Sequence, residues 1–260
     1  INPKSEKAYF NLGYTYEALK DDKKAIDSYQ KAIAVKPDYA NAYSVLGELY
    51  RKVGDLDSAV FNLRKASDLN PTSDRNARNL GRALLDQDRT ADASKAFADA
   101  VRLGPKVAQN HYNMAVVLVE QSKFDEAITF AAKAVELDAK VPEHNYMLAY
   151  TSEKLGLKDK AKQYYTSAIK LNANYAKARV ALALILMDEG DNDSALGHLQ
   201  KAASVEPNSL EVQNNLANLY RLKKLWSNAV EASLKAVKLS PNKADIRYNA
   251  ALSLSGAEMW

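Results

Sequence analysis

The chain has 260 residues, of which 47% are hydrophobic, too many for general disorder and enough for one large domain or two ordinary ones. Its 36 basic and 32 acidic residues leave a net charge of +4, too small an excess to argue for a nucleic-acid partner. Cysteine is absent, which excludes disulfides, thiolate chemistry and cysteine-held zinc or iron–sulfur centres, and no apolar run approaches the roughly 18 residues of a membrane span.

The first periodic stretch opens at Glu6. Tyr9, Leu12, Gly13 and Tyr16 lie three and four apart and make one helical stripe. A break follows near residue 20, then Ala25, Tyr29 and Ala32 make a second stripe, and Pro37 is predicted to end that helix because it cannot continue the hydrogen-bond ladder. The pattern then recurs in segments beginning at Ala40, Asp74, Ala108, Pro142, Ala176 and Leu210, each 34 residues after the last, with a partial segment from Ala244.

Numbered within each segment, position 20 is always alanine (Ala25, Ala59, Ala93, Ala127, Ala161, Ala195, Ala229), and so is position 27 (Ala32, Ala66, Ala100, Ala134, Ala168, Ala202, Ala236). Position 8 is Gly or Ala throughout, and position 7 is large and apolar in all seven complete segments, from Leu12 to Leu216. Small residues at 8, 20 and 27 let two helix backbones approach closely while larger neighbours fill the space around them. Gly54, Gly156 and Gly190 mark the break between helices, near position 15. Proline stands at position 32 in Pro37, Pro71, Pro105, Pro207 and Pro241, with Ala139 and Ala173 as exceptions. Asp38, Ser73 and Asn208 then offer caps for the next first helix.

This register resembles the tetratricopeptide repeat family, whose period is 34 residues. The first segment carries the likeness in Tyr9, Leu12, Gly13, Tyr16, Ala25, Tyr29, Ala32 and Pro37. The resemblance covers residues 6–260 and implies an all-α fold: one right-handed superhelical solenoid over 1–260, with seven complete helix-turn-helix repeats and a partial eighth. Ser152 at position 11, with Ser233 and Ala131 at position 24, departs from the usual large residues and leads us to expect locally looser packing. Ile1-Asn2-Pro3 matches Leu69-Asn70-Pro71, and the last first helix has no partner helix. Both ends are thus expected to belong to a longer array, unless the eighth helix is itself a cap closed by Met259 and Trp260.

In this family first helices line a concave groove, and positions 2, 5, 6, 9, 12 and 13 face it. The resemblance therefore nominates a peptide-binding surface made of Asn11, Tyr14, Arg75, Arg78, Asn79, Arg82, Tyr112, Asn113, Val116, Tyr146, Met147, Tyr150, Val180, Leu184, Met187, Asn215, Asn218 and Asn249. Position 6 is asparagine in five of eight segments, although asparagine is a poor interior helix former. A carboxamide both donates and accepts, which suits an extended peptide backbone, and the row is similar to the one in O-linked N-acetylglucosamine transferase repeats. Met147 and Ala181 interrupt it, and the run Val180–Met187 is apolar all round, which predicts an exposed contact patch. Arg75, Arg78 and Arg82 form a basic stripe suited to acidic side chains or a terminal carboxylate. Some family members clamp the C-terminal carboxylate of heat-shock chaperones. Arg78 and Asn113 fit two places of that clamp, but Arg82, Glu143 and Met147 stand where other residues are needed, so weak or no binding to that ligand is expected.

His111, His144 and His198 are the only histidines, and no carboxylate joins them at ligand spacing. With no glycine-rich phosphate loop or nucleophile elbow, neither a metal, a cofactor nor catalysis is expected within these residues. The expected function is a protein-interaction scaffold holding a partner protein or peptide for assembly, secretion or chaperone-like work. Two alternatives stay open: the substrate-recognition arm of a larger enzyme, such as a glycosyltransferase, and a scaffold that self-assembles through the apolar patch or an uncapped end. The compartment is not fixed by these features.

Overall fold

The computed structural model describes residues 5–258; the expectations for Ile1-Asn2-Pro3, Met259 and Trp260 lie outside them. Among the described residues there are fifteen α-helices and no strand. The first helices of the repeats are α1 (Glu6–Ala18), α3 (Ala40–Val53), α5 (Asp74–Asp86), α7 (Ala108–Glu120), α9 (Pro142–Lys154), α11 (Ala176–Asp188), α13 (Leu210–Leu222) and α15 (Ala244–Glu258). The second helices are α2 (Asp22–Val35), α4 (Leu56–Leu69), α6 (Thr90–Leu103), α8 (Phe124–Leu137), α10 (Lys158–Leu171), α12 (Asn192–Val205) and α14 (Trp226–Leu239). Seven antiparallel hairpins and one further first helix result, each first helix starting at the first residue of its 34-residue segment.

These hairpins divide into two compact units, Ile1–Asp138 with α1 to α8 and Ala139–Trp260 with α9 to α15. Within each unit every helix packs on its hairpin partner, and the second helix packs on the following first helix. First helices also touch one another directly, α3 against α5, α5 against α7, and α13 against α15.

The alanines at positions 20 and 27 explain the close packing: thirteen of the fourteen are fully sealed from solvent, and Ala236 is 1% exposed. At position 8 the demand is stricter in three repeats. A Cβ on Gly13 would fall 2.6 Å from the Tyr29 ring, on Gly47 2.6 Å from Leu63, and on Gly81 2.6 Å from Phe97. Glycine there makes room for a large residue at position 24 of the facing helix.

The break between helices is more regular than its sequence. Position 15 adopts positive φ in all seven repeats, through Gly54, Gly156 and Gly190 but also through Lys20, Asp88, Ser122 and Lys224. This left-handed residue ends the first helix, and a side chain there costs strain that glycine avoids.

Two sequence expectations need correction. Proline at position 32 does not set the end of the second helix, because every second helix stops at position 30, including α8 and α10, which are followed by Ala139 and Ala173. The residue at position 31 turns extended or nearly so in each case, as in Asp138 and Asn172. At both proline-free junctions the following first helix pins the loop: Asn145 Nδ2 donates to the Ala139 carbonyl at 2.9 Å and Arg179 Nε to that of Ala173 at 2.9 Å. Gln213 makes the same contact to Pro207 (2.9 Å), and His111 Nε2 lies 2.8 Å from the Pro105 carbonyl. Second, the caps sit one residue later than Asp38 and Asn208. Ser209 caps α13 and Tyr39 precedes α3 without a side-chain bond, whereas Ser73 caps α5 as expected. The hydroxyls of Ser152 and Ser233, small residues where large ones are usual, are both bonded within the protein. Ser152 is fully buried and donates to the Leu148 carbonyl at 2.6 Å, and Ser233 is paired with Ser253 at 2.7 Å.

Candidate functional site

In the unit Ile1–Asp138 the first-helix face begins with an aromatic group. Phe10 at position 5 packs against Tyr29 (5.5 Å between ring centroids) and Tyr39 (5.3 Å). Tyr29 is wholly buried, and its hydroxyl donates to Glu17 Oε2 at 2.5 Å. Burial, then this hydrogen bond, pushes the phenol above the ordinary tyrosine range. Tyr14 remains 67% exposed and Asn11 is exposed beside it.

The basic stripe of α5 does not survive as a stripe. Arg78 Nη1 donates to Asn110 Oδ1 at 2.6 Å and to Asp74 Oδ2 at 3.2 Å, and Arg82 lies 3.4 Å from Glu48. Only Arg75 is exposed and without an acidic partner within ion-pair distance. Asn79 is 9% exposed and Asn113 7%; Asn113 accepts from Gln109 Nε2 at 2.9 Å. Tyr112 and Val116 are half-buried on α7.

The unit Ala139–Trp260 repeats the aromatic arrangement. Tyr146 at position 5 packs against Tyr165 (5.6 Å) and Tyr175 (5.3 Å), and stacks with Tyr150 (6.3 Å). The Tyr165 hydroxyl donates to Glu153 Oε2 at 2.6 Å, and burial first, then that bond, raises its pKa. Repeats 1 and 5 thus share one constellation at positions 5, 12, 24 and 34, and Lys154 adds an ammonium 5.1 Å from the centre of the Tyr150 ring. The pairing of positions 12 and 24 was missed from sequence, although glutamate and tyrosine recur there in just these two repeats.

The expected apolar patch on α11 contracts. Val180 is 3% exposed, Leu182 5% and Ile185 6%, sunk into clusters with residues of α10, α12 and α13. The helix is apolar all round because neighbours cover most of its circumference. Val180, and likewise Met147 at 8% exposed, is part of the packing. Leu184 stays 40% exposed and Met187 is half-buried. Further along, Asn215, Asn218 and Asn249 are half-buried; Asn218 accepts from Arg221 at 3.0 Å, and Asn249 donates to Asn214 at 3.0 Å. Asparagines of the row are thus partly spent on neighbouring side chains.

His198 accepts from Arg179 Nη1 at 3.3 Å, and burial followed by the Arg179 charge lowers its pKa below 6.5. Among the described residues no group of three or more His, Asp or Glu side chains is arranged to hold a metal ion, and no helix is long and apolar enough to cross a membrane.

Comparison with known proteins accounts for this architecture. A search of curated proteins finds no match. Among solved structures, a chain of an APC/C hetero-tetramer superposes with a TM-score of 0.76 at 15% identity over 96% of this chain, which spans 46% of that protein's length. PilF of Pseudomonas aeruginosa gives 0.74 at 21% identity, covering 82% of this chain and 96% of that one. YrrB, described as a TPR protein with an unusual peptide-binding site, gives 0.58 at 21% identity, covering 71% and 95%. At such identities the likeness concerns the fold. Family models of the tetratricopeptide repeat match residues 6–39, 40–73, 78–142, 144–175 and 180–244. Since these matches extend over most of the sequence, the chain belongs to the tetratricopeptide repeat family.

Proposed function

We propose that this chain is a protein-interaction scaffold that binds a partner polypeptide along the first-helix face of each unit. The observation that carries the reading is the composition of that face. The first helices leave rings and aliphatic groups exposed or partly exposed: Tyr14, Tyr112 and Val116 in one unit, Tyr146, Tyr150, Leu184 and Met187 in the other. Tyrosine supplies a large apolar surface with few rotors and a polar tip, so it binds at low entropic cost. Burying Leu184 and Tyr150 under a partner contributes roughly 1.5–3 kcal/mol each before ordering costs. The peptide-binding relative YrrB supports the same assignment.

A capture experiment tests it. A photo-crosslinking residue at Leu184 should trap a discrete partner polypeptide that the same residue at exposed Phe61, on second helix α4, does not trap. The double substitution Tyr150→Ala, Leu184→Ala should lose that partner with its circular dichroism unchanged. Equal trapping at both places, or retention by the double variant, would reject the first-helix face as the binding surface. A crosslink between two copies of the chain would instead identify self-assembly.

A further inference from the structure

On the second-helix side, clefts open between consecutive second helices, each floored by a first helix. One of about 300 Å3 lies between α12 and α14 over α13, and one of about 460 Å3 between α4 and α6 over α5. Both hold charges of each sign that pair internally: Glu231 with Lys235 at 2.7 Å in the first, and Asp99 with Arg102 at 2.7 Å in the second. The equivalent place between α10 and α12 over α11 differs. Its positions, each 34 residues before those lining the α12–α14 cleft, include Lys170, Arg179, His198 and Lys201 and no acid.

Arg179 organises this place. Its Nε donates to the Ala173 carbonyl at 2.9 Å, just past α10, and its Nη1 donates to His198 Nδ1 at 3.3 Å on α12. Two of its five N–H groups are thus used and three remain. Among the described residues no carboxylate lies within ion-pair distance of this half-buried guanidinium, nor of exposed Lys170 and Lys201. Burial lowers the Arg179 pKa with no acidic neighbour to offset it. Since an arginine only donates, His198 Nδ1 accepts and its Nε2 carries the proton, a further donor. Lys201 stands one turn after His198 on the same face of α12, and Lys170 is in the last turn of α10. A Cβ on Gly197 would meet nothing within 4 Å, so α12 leaves open space beside His198.

We propose that the cleft between α10 and α12 binds a phosphate group, a dianion whose charge and several acceptor oxygens match these donors. The free edge of the Arg179 guanidinium pairs with two phosphate oxygens, while Lys170 and Lys201 act as point charges. A single carboxylate would balance only one of the three cations. The site shares no residue with the face that carries Tyr150 and Leu184, so it stands apart from the polypeptide reading.

The test titrates the intact, isotopically labelled chain with inorganic phosphate, with N-acetyl-O-phosphoserine N-methylamide and with acetate, at matched ionic strength. The Arg179 Nε–H and His198 ring resonances are followed by NMR. Phosphate should shift both and saturate, at least ~10-fold more tightly than acetate. Lys170→Gln combined with Lys201→Gln should weaken it about 5-fold; both side chains are exposed, so folding is not endangered. Arg179→Gln should abolish saturation. That variant keeps its loop anchor, because Gln213 at the same position one repeat later donates to the Pro207 carbonyl at 2.9 Å. Tighter binding of the phosphoserine amide would make the ligand a phosphorylated partner, and tighter binding of inorganic phosphate a free anion; either result supports the site. Acetate binding as tightly as phosphate, resonances that do not move, or phosphate binding undiminished in Arg179→Gln overturns the proposal.

Discussion

Asn110 should be far more costly to remove than the equivalent asparagine one repeat earlier. It is wholly buried at position 3 of α7, and its one carboxamide joins three segments. Its nitrogen donates to the Ala100 carbonyl at 2.8 Å, to that of Gly104 at 3.1 Å and to Asp74 at 3.0 Å, while its oxygen accepts from Arg78 at 2.6 Å. A neutral hydrogen bond contributes about 1 kcal/mol net and one to a charged group about 1.5–3. Arg78 and Asp74 side chains are 17% and 29% exposed, so water recovers part of what they lose and the lower end applies. Two neutral bonds and two charged ones at that lower end set a ceiling of about 5 kcal/mol, and because two amide hydrogens are shared among three acceptors Asn110→Ala should cost about 3–5 kcal/mol. At the same position in α5, Asn76 donates to the Ala66 carbonyl at 2.9 Å and reaches no ion, so Asn76→Ala should cost about 1 kcal/mol. Urea unfolding followed by circular dichroism, with unchanged slope, measures both. Gly104→Ala provides a second probe of the same knot, because its Cβ would fall 2.7 Å from Asn110 Nδ2 and 2.9 Å from Asp74, and it should also destabilise. Costs for Asn110→Ala and Asn76→Ala that agree within about 0.5 kcal/mol would refute the idea that the ionic part of the network matters.

Further outcomes follow from single features. Ser122 sits at φ 57, so Ser122→Gly should raise stability by ~0.5–1 kcal/mol, and Gly156→Ala at φ 74 should lower it by about 1 kcal/mol; opposite signs in thermal unfolding would exclude strain at position 15. His198 has its pKa depressed by burial and by Arg179. As pH falls through 6.5 the unfolded chain takes up a proton that the folded chain resists, so stability drops in that window, and His198→Asn should remove that part of the slope. An identical slope in the variant would show that His198 is not its source.

Hairpin count, helix order and the two alanine rows were legible in the sequence, because a strict 34-residue period repeats the same backbone contacts and only alanine or glycine fits them. The periodicity of Tyr9, Leu12 and Gly13 suffices for a helix stripe, and Gly54 for a left-handed stop. Lys20, Asp88, Ser122 and Lys224 take that conformation without advertising it, since the packing of two helices outweighs their local preference. For the same reason Ala139 and Ala173 could not reveal that Asn145 and Arg179 hold the loop ends that proline holds elsewhere.

What sequence spacing determined, then, was which residues share a helix face, because that depends only on the 3.6-residue turn. Whether a residue on that face is free depends on neighbours from other helices, and only the packed structure decided it. Val180 and Met147 were absorbed into the packing, Arg78 was taken by Asn110, and Arg82 by Glu48. Arg75 alone of the three arginines was left exposed and outside any ion pair, a difference that no single segment encodes, since burial and pairing are properties of helices brought together from different repeats.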